Sequence, residues 1–318
     1  MTSDERDAIG PRRRKSPLGA PRRHEADLRR LGRRADPARA GGLRGAPQGV
    51  FRRGFSRRPP ATAPAPPAVL PILTYHAIEE GRSPISVSPA AFRRQIELLA
   101  DGGWMALAVP QALRLLRLGR RLPRRVVALT FDDGLRSAYT VALPILREYG
   151  FVATVFPVAG ALGGRNEWPG QPPGIPTLPL LDWDELAALA DAGWAVGGHT
   201  LTHPDLTAVS AAQAEEEVAG CRYALSERLG LPVTVFAYPY GRHNASTRAL
   251  VARHYRGACA TDIRVARTGS DPLALERIDA LYLMPADLVR LLDTPMMEAY
   301  LILRRSLRAL WAGIVTRQ

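Results

Sequence analysis

The sequence predicts an α/β fold built around a mainly parallel sheet, either open or closed into a barrel. From Val69 onward, short apolar runs alternate with amphipathic helical segments at close intervals along the 318-residue chain. Such alternation is typical of parallel strands joined by crossover helices. Polar residues directly follow several of the predicted strands, and in α/β folds the carboxyl ends of the strands form the reactive face.

The predicted strands are short runs of apolar and β-branched residues bounded by glycine, proline or polar residues. In chain order they cover residues 69–75, 126–131, 153–158, 194–197, 234–238, 258–261 and 278–283. The predicted helices carry apolar residues at helical spacing, as Phe92, Ile96 and Leu99 show in the first of them. They cover residues 89–101, 109–118, 139–149, 183–192, 210–229, 246–255 and 286–315. Asp182 is the expected N-cap of the fourth helix.

Positive charge is concentrated in the first 66 residues. This segment holds 17 of the 43 Lys and Arg residues but only 6 of the 30 Asp and Glu residues, a net charge of +11 out of the total +13. It has too few large apolar residues to offset the entropy cost of ordering. We therefore expect a disordered basic arm at residues 1–66, a folded domain at residues 67–285 and a helical extension at residues 286–318.

The basic arm could attract an anionic membrane surface or nucleic acid through charge alone. A solvated tail is favoured, because neither interleaved aromatic residues nor a periodic helix face accompanies the arginines. We expect no nucleic-acid partner and at most weak contact with anionic membranes. The arm has no apolar signal-peptide core, and no stretch reaches the roughly 18 apolar residues that span a bilayer. The compartment stays open, with the cytoplasm or a peripheral membrane position as the default.

Polar residues with catalytic potential follow four of the predicted strands. His76 follows the first strand, Asp132 and Asp133 follow the second, His199 follows the fourth, and Tyr240 lies just past the fifth. Because the carboxyl ends of parallel strands meet at one rim, we expect these side chains to lie close together. Adjacent side chains on a strand point to opposite faces, so the two carboxylates share a site only if the chain turns there, as glycine at position 134 permits.

The pair His199 and His203 suggests a metal site. The two residues would share a face if the segment were helical, although it could equally be a loop. Two imidazoles and one carboxylate suit a divalent cation, zinc above all but also iron, cobalt or nickel. A histidine pair alone is a weak signal, and the nearby carboxylates strengthen it. If Asp133 completes the ligand set, Asp132 is free to act as a general base.

Three motifs resemble those of the NodB-like polysaccharide deacetylases, carbohydrate esterase family 4. They are TFDDG at residues 130–134, HTLTH at residues 199–203 and FAYPYG at residues 236–241. A subgroup that acts on poly-N-acetylglucosamine is more similar, since it shares the Tyr-His pair seen at Tyr75 and His76 and the Tyr-Pro-Tyr third motif. The resemblance implies a distorted seven-stranded (β/α) barrel that removes acetyl groups from N-acetylated sugars.

The resemblance also implies a role for each motif residue. Asp132 would be the general base, and Asp133, His199 and His203 would be the metal ligands. The backbone N–H of Tyr240 would donate to the oxyanion. The expected partner is an N-acetylated glycan, and the oligomeric state is left open.

The chain departs from the usual family pattern in two places. The third motif usually has an arginine two residues before its proline, where this chain has Ala237, so we expect the arginine that orients the general base to be missing. The late Leu-x-x-His motif that supplies the general acid is also absent after residue 260. By the pattern of the subgroup, His76 is the expected general acid, with His243 as the rival candidate.

The sequence thus predicts a metal-dependent hydrolase that removes N-acetyl groups from a polysaccharide or an amino sugar. The alternative is a catalytically silent carbohydrate-binding relative with an anion-binding arm. The complete set of candidate ligands and base argues against that alternative. Trp168, Trp183 and Tyr240 are candidates for stacking on sugar rings, although Trp183 is equally suited to the core.

Overall fold

The strands and helices alternate along the chain as the sequence predicts. The computed structural model describes residues 69–81, 83–117 and 125–315, and the predicted basic arm lies outside them. The strands are β1 (Val69–Leu70), β2 (Ile72–Tyr75), β3 (Ala77–Ile78), β4 (Ser86–Val87), β5 (Met105–Ala106), β6 (Val126–Asp133), β7 (Thr154–Pro157), β8 (Ala195–Val196), β9 (Val235–Ala237), β10 (Gly257–Ile263), β11 (Ala266–Arg267) and β12 (Leu275–Asp279). The α-helices are α1 (Pro89–Asp101), α2 (Val109–Arg117), α3 (Leu143–Glu148), α4 (Trp183–Asp191), α5 (Ala211–Glu215), α6 (Cys221–Leu229), α7 (Ala245–His254) and α8 (Pro295–Val315).

Seven of the strands form a parallel sheet that curves into a nearly closed barrel. The hydrogen-bonded order is β8-β7-β6-β2-β12-β10-β9, and β5 pairs with the start of β6 outside this ring. Every pairing within the order is parallel. A parallel bridge between Gly198 and Phe236 joins the two outer strands and closes the ring. The predicted α/β class and the seven-stranded barrel implied by the resemblance are both confirmed.

The alternation of side chains along the strands separates the barrel interior from the layer under the helices. On β6, Leu129 and Phe131 belong to the large apolar cluster that includes the surrounding helices. Ala128 belongs to a second cluster made mainly of inward-facing strand residues. Because residues two apart share a face, Asp132 points into the barrel like Ala128. The barrel interior therefore carries a carboxylate at the carboxyl end of a central strand.

Two of the predicted helices contain a wide turn. The helix predicted at residues 139–149 begins with the π-helical turn Ala138–Ala142, which leads directly into α3. The helix predicted at residues 210–229 has a π-helical turn, Glu216–Gly220, between α5 and α6. Such turns are frequent at functional sites because they shift the side chains that follow.

The last two predicted segments differ from the structure. The strand predicted at residues 278–283 is shifted, because β12 ends at Asp279 and the side chain of Asp279 caps the short 3-10 turn that follows. The helix predicted at residues 286–315 is interrupted. A 3-10 helix at Ala286–Leu291 comes first, and α8 begins at Pro295. Proline lacks a backbone N–H, but at the first position of a helix that group would have no partner within the helix. No helix within the described ranges, α8 included, is long and apolar enough to cross a membrane.

Cys221 and Cys259 are both buried and neither forms a disulfide. Burial raises the pKa of each thiol to about 12. Because the thiolate is the reactive form, neither side chain is a nucleophile at neutral pH.

Asp182 caps α4 as predicted, in a reciprocal arrangement with Glu185. The Asp182 carboxylate accepts from the Glu185 backbone N–H at 2.8 Å, and the Glu185 carboxylate accepts from the Asp182 N–H at 3.3 Å. We expect Asp182→Ala to lower the free energy of unfolding by about 1 kcal/mol, because it removes the partner of an end N–H group. Asp184→Ala is the control, since this exposed carboxylate lies in the same turn without being the cap. Equal losses for the two variants in urea unfolding would contradict the capping role.

Candidate active site

The two adjacent carboxylates at the end of β6 reach one site because the backbone turns there. Asp133 has a left-handed φ of 67°, and Gly134 follows with a φ of 75°. A Cβ atom on Gly134 would lie 2.9 Å from the Cα of Pro157, so this close approach requires glycine. The sequence predicts this turn at Gly134, whereas in the structure the left-handed backbone begins one residue earlier, at Asp133. As a result, Asp132 points into the barrel while Asp133 faces the histidines.

The two histidines lie on a loop after β8 rather than on a helix. Thr200 and His203 both have left-handed backbones, with φ values of 67° and 64°. The hydroxyl of Thr200 accepts from the backbone N–H of His203 at 2.9 Å, which closes the loop into a tight turn. The loop brings His199 and His203 to one point, with ring centroids 4.9 Å apart. Of the two conformations that the sequence allows, the loop is the correct one.

A buried glutamate holds the histidine loop in place. Glu217 lies on the π-helical turn between α5 and α6 and is 6% exposed. Its carboxylate accepts from the N–H of Leu201 at 2.8 Å and from the N–H and hydroxyl of Thr202 at 2.9 and 2.6 Å. Charged acceptors make stronger hydrogen bonds than neutral ones. The wide turn thus aims a carboxylate at a loop that has no regular structure of its own.

Asp133, His199 and His203 form a buried cluster that could hold a metal ion. The Asp133 Oδ1 atom lies 3.3 Å from His199 Nε2 and 3.4 Å from His203 Nε2. One ligand atom from each residue lies within 4.8 Å of the other two. His199 Nδ1 donates to the Ala237 carbonyl oxygen at 2.8 Å, so in the neutral ring the lone pair is on Nε2 and points at the cluster. This donor set and tautomer fit a divalent cation.

The environment separates the pKa values of the three groups. Burial acts to raise the pKa of Asp133. The Nε2 groups of His199 and His203, when they carry a proton, donate to its carboxylate, and this outweighs burial and holds the pKa well below its ordinary value. Burial lowers the pKa of His203, whereas the carboxylates of Asp132 and Asp133 raise that of His199 despite its burial. Asp133 is therefore ionised and available as an anionic ligand.

Asp132 is held by an arginine that comes from a strand not adjacent to its own. Arg277 on β12 donates from Nη1 and Nη2 to the two carboxylate oxygens of Asp132, at 2.8 and 2.6 Å. Its Nε donates to the Ala260 carbonyl oxygen at 2.9 Å, and its Nη1 also reaches the Thr130 hydroxyl at 3.2 Å. Arg277 is only 2% exposed. Strand β2 lies between β12 and β6, so the side chain crosses the barrel interior.

The expectation that no arginine orients Asp132 is therefore wrong. Burial acts to raise the pKa of Asp132, but the charge and hydrogen bonds of Arg277 more than offset burial and lower it. Asp132 stays ionised inside the barrel, which a general base requires. The predicted last strand begins at Ile278, three residues after β12 begins at Leu275, and so leaves Arg277 out. No local pattern singles it out, because three of the five residues of β12, Glu276, Arg277 and Asp279, are charged.

Two candidate histidines for proton transfer are placed differently. His76, directly after β2, lines the cavity that contains Asp132 and Asp133. Asp279 ends β12, the strand that pairs in parallel with β2 just before His76, and burial raises the pKa of Asp279. His243 is not part of the cavity lining, and its ring packs 5.0 Å from that of Tyr238. The structure brings His76, and not His243, to the carboxylates.

The cavity over the cluster has a volume of about 130 Å³ and is partly covered by a loop. From that loop, Trp168 packs on the His203 ring at a centroid distance of 4.5 Å. Tyr240, with a left-handed φ of 57°, packs on the other side at 4.7 Å. The Gln171 Oε1 and Tyr240 hydroxyl oxygens are buried and have no hydrogen-bond partner among the described residues. Trp183 instead packs against the core, with the Arg228 guanidinium over its ring.

The fold and this rim together define a class of enzyme. A nearly closed seven-stranded barrel with an Asp-His-His group at the carboxyl ends of its strands is the NodB-type arrangement of carbohydrate deacetylases, which are hydrolases. Residues 119–256 match the family model described as polysaccharide deacetylase. The matched region is 138 of the 318 residues and includes all three motifs, so this part of the chain is similar to the polysaccharide deacetylases.

Three known proteins show the extent of the similarity. YxkH of Bacillus subtilis, whose name places it among the polysaccharide deacetylases, is 28% identical over 67% of this chain and 71% of its own length. The poly-beta-1,6-N-acetyl-D-glucosamine N-deacetylase of Escherichia coli K12 is 34% identical over 27% of this chain, and the match spans only 13% of that enzyme. The deacetylase PplD of Streptococcus pyogenes, solved with acetate, has a TM-score of 0.59 and 28% identity, covering 67% of this chain and 92% of its own.

Replacing Arg277 should leave the buried carboxylate of Asp132 without a partner. We expect Arg277→Gln to lower the free energy of unfolding by about 3–5 kcal/mol. The double variant Asp132→Asn with Arg277→Gln should recover much of that loss, because it removes both charges. Urea unfolding of the wild type, both single variants and the double variant measures the coupling. Additive losses would mean that the pair is not coupled.

Proposed function

We propose that this protein is a metal-dependent deacetylase that hydrolyses the N-acetyl group of an acetylated amino sugar, within a polysaccharide or an oligosaccharide. The observation that carries the proposal is the ionised Asp132, fixed by Arg277 beside the cluster of Asp133, His199 and His203. The site thus has a base and a three-residue ligand set at one rim. The same rim also carries a histidine, His76.

The proposed metal ligands are Asp133, His199 and His203. Zinc suits two imidazoles and one carboxylate, and iron, cobalt or nickel bind similar sets. A divalent cation held there would polarise the acetyl carbonyl and make water easier to deprotonate. Two contacts support this assignment. The Ala237 carbonyl fixes the His199 ring, and Glu217 fixes the loop that carries both histidines.

Asp132 is the proposed general base. It would accept a proton from the water whose oxygen attacks the acetyl carbonyl carbon. The two hydrogen bonds from Arg277 fix the plane of the carboxylate and leave its outward lone pairs free. The backbone N–H of Tyr240 is the proposed donor to the oxyanion, and the left-handed turn at this residue lies against the cavity.

His76 is the proposed general acid, with Asp279 as its positioning residue. When the carbon–nitrogen bond breaks, the leaving amine takes a proton from the imidazolium form of His76, which becomes the neutral ring, and acetate and a free amino sugar are released. His76 directly follows β2, and Asp279 is the last residue of the neighbouring parallel strand β12, where it pairs with Thr74. This placement beside the two carboxylates favours His76 over His243.

The proposed substrate is a glycan of β-linked N-acetylglucosamine. The similarity to the E. coli enzyme named for poly-beta-1,6-N-acetyl-D-glucosamine supports this choice. A Pestalotiopsis chitin deacetylase, 32% identical over 37% of the chain, keeps chitin oligomers as an option. The unpaired oxygens of Gln171 and Tyr240 and the ring of Trp168 suit a polar sugar with an apolar face.

Metal dependence is tested by acetate release from β-1,6-linked and β-1,4-linked N-acetylglucosamine oligomers. We expect release after loading with zinc, cobalt, nickel or iron, and its loss after chelation. His203→Ala should reduce release by at least about 100-fold, because it removes a ligand. His254→Ala is the matched control, since this histidine pairs with Glu215 away from the cavity.

Undiminished release from protein shown to be metal-free would overturn the proposal. Oligomer binding without acetate release, in protein shown to hold one equivalent of metal, would instead support the silent carbohydrate-binding relative.

The general acid is tested by changing the leaving group. We expect His76→Asn to lower kcat for an N-acetylglucosamine oligomer by about 100-fold or more. The same variant should keep its activity on 4-nitrophenyl acetate, whose leaving group departs without a proton. His243→Asn should leave both activities close to those of the wild type. A loss with His243→Asn but not with His76→Asn would reverse the assignment.

A further inference from the structure

Helix α8 carries an apolar face that no described part of the chain covers. Half of the large hydrophobic side chains that are exposed in the described residues lie on it: Met296 is 66% exposed, Ile302 58%, Leu303 57% and Leu307 42%. Met296, Leu303 and Leu307 are spaced by seven and four residues, so they share one face of the helix. We call these three residues the outer stripe. Contiguous exposed apolar surface of this kind marks an interaction site.

The opposite face of α8 is fixed against the barrel domain. Met297 and Leu301 are buried at 0% and 3% exposure. Glu298 pairs with Arg267 at 2.8 Å, and the Tyr300 hydroxyl donates to the Tyr282 carbonyl oxygen at 2.6 Å. These contacts prevent the helix from rotating the outer stripe inward. The stripe is therefore a stable feature of the surface.

Every charged side chain of α8 after Glu298 is an arginine. The last 20 residues of the chain contain four arginines and no aspartate or glutamate. Arg304 and Arg308 follow the buried Leu301 at helical spacing, so they lie between the outer stripe and the barrel domain. The Arg304 guanidinium stacks over the ring of Tyr282 at 4.5 Å. The surface thus combines an apolar stripe with a basic border.

We propose that α8 binds an anionic lipid surface, with the outer stripe inserted among the headgroups. An amphipathic helix with leucines on one face and arginines beside them lies in the plane of a bilayer interface. The arginines complement the negative surface potential of an anionic leaflet. A second copy of the chain is disfavoured as the occupant, because a two-fold contact through this stripe brings the arginine borders of both copies together. The inference is independent of the deacetylase chemistry.

The test is co-sedimentation of the full chain with vesicles of phosphatidylglycerol and phosphatidylcholine. We expect binding to vesicles rich in phosphatidylglycerol. The variant Leu303→Ser with Leu307→Ser should lose roughly tenfold or more, because two exposed apolar side chains that would enter the bilayer are replaced by polar ones. Leu231→Ser is the matched control, since Leu231 is as exposed as Leu307, 42% each, but lies outside α8. It should bind like the wild type.

Salt separates the contribution of α8 from that of the basic arm. Binding by charge alone disappears at 0.5 M NaCl, whereas inserted leucines should retain part of it. Circular dichroism confirms that each variant is folded. Equal binding of the double variant and the wild type, or no binding of the wild type, would overturn the proposal. A wild-type dimer in light scattering that the double variant loses would also overturn it, in favour of self-association.

Discussion

The buried pair of Arg277 and Asp132 is the interaction on which the interior of this barrel depends. Each charge alone would be costly in a closed apolar interior, and the two hydrogen bonds at 2.8 and 2.6 Å offset that cost. The guanidinium group also satisfies the Ala260 carbonyl oxygen and reaches the Thr130 hydroxyl. It therefore links three regions of the barrel wall and keeps Asp132 ionised. Both stability and the proposed chemistry require the same contact.

Backbone strain is concentrated at the site that this pair supports. Five non-glycine residues among those described have a positive φ, and four of them are Asp133, Thr200, His203 and Tyr240. Left-handed backbones are costly for such residues and persist only where the surrounding structure holds them. Glu217 supplies that support for the histidine loop. The rigid barrel and the wide helical turn thus maintain a geometry that the loops would not adopt alone.

Arginine side chains have different roles at the candidate active site and on α8. At the rim, arginine is buried and paired, so its charge serves to orient a carboxylate. On α8, arginines border exposed leucines, a combination that is costly to leave facing water over a wide area. The buried arginine has its partner within the same chain, whereas the proposed role of the α8 arginines requires an anionic lipid surface. Burial, rather than residue type, distinguishes the two roles.

The sequence by itself determined the α/β class, most element positions, the cap at Asp182 and the group of Asp132, Asp133, His199 and His203. Those features depend on local periodicity and on the rule that parallel strands deliver their carboxyl ends to one rim. Only the tertiary structure revealed Arg277 and Glu217, because each acts on residues that are not its neighbours in the sequence. Arg277 lies 145 positions from Asp132, and Glu217 lies 16 and 15 positions from Leu201 and Thr202. The choice between His76 and His243, and the open face of α8, also depended on which neighbours each segment packs against. Such contacts are set by how strands and helices are arranged in space, and no local pattern in the sequence records that arrangement.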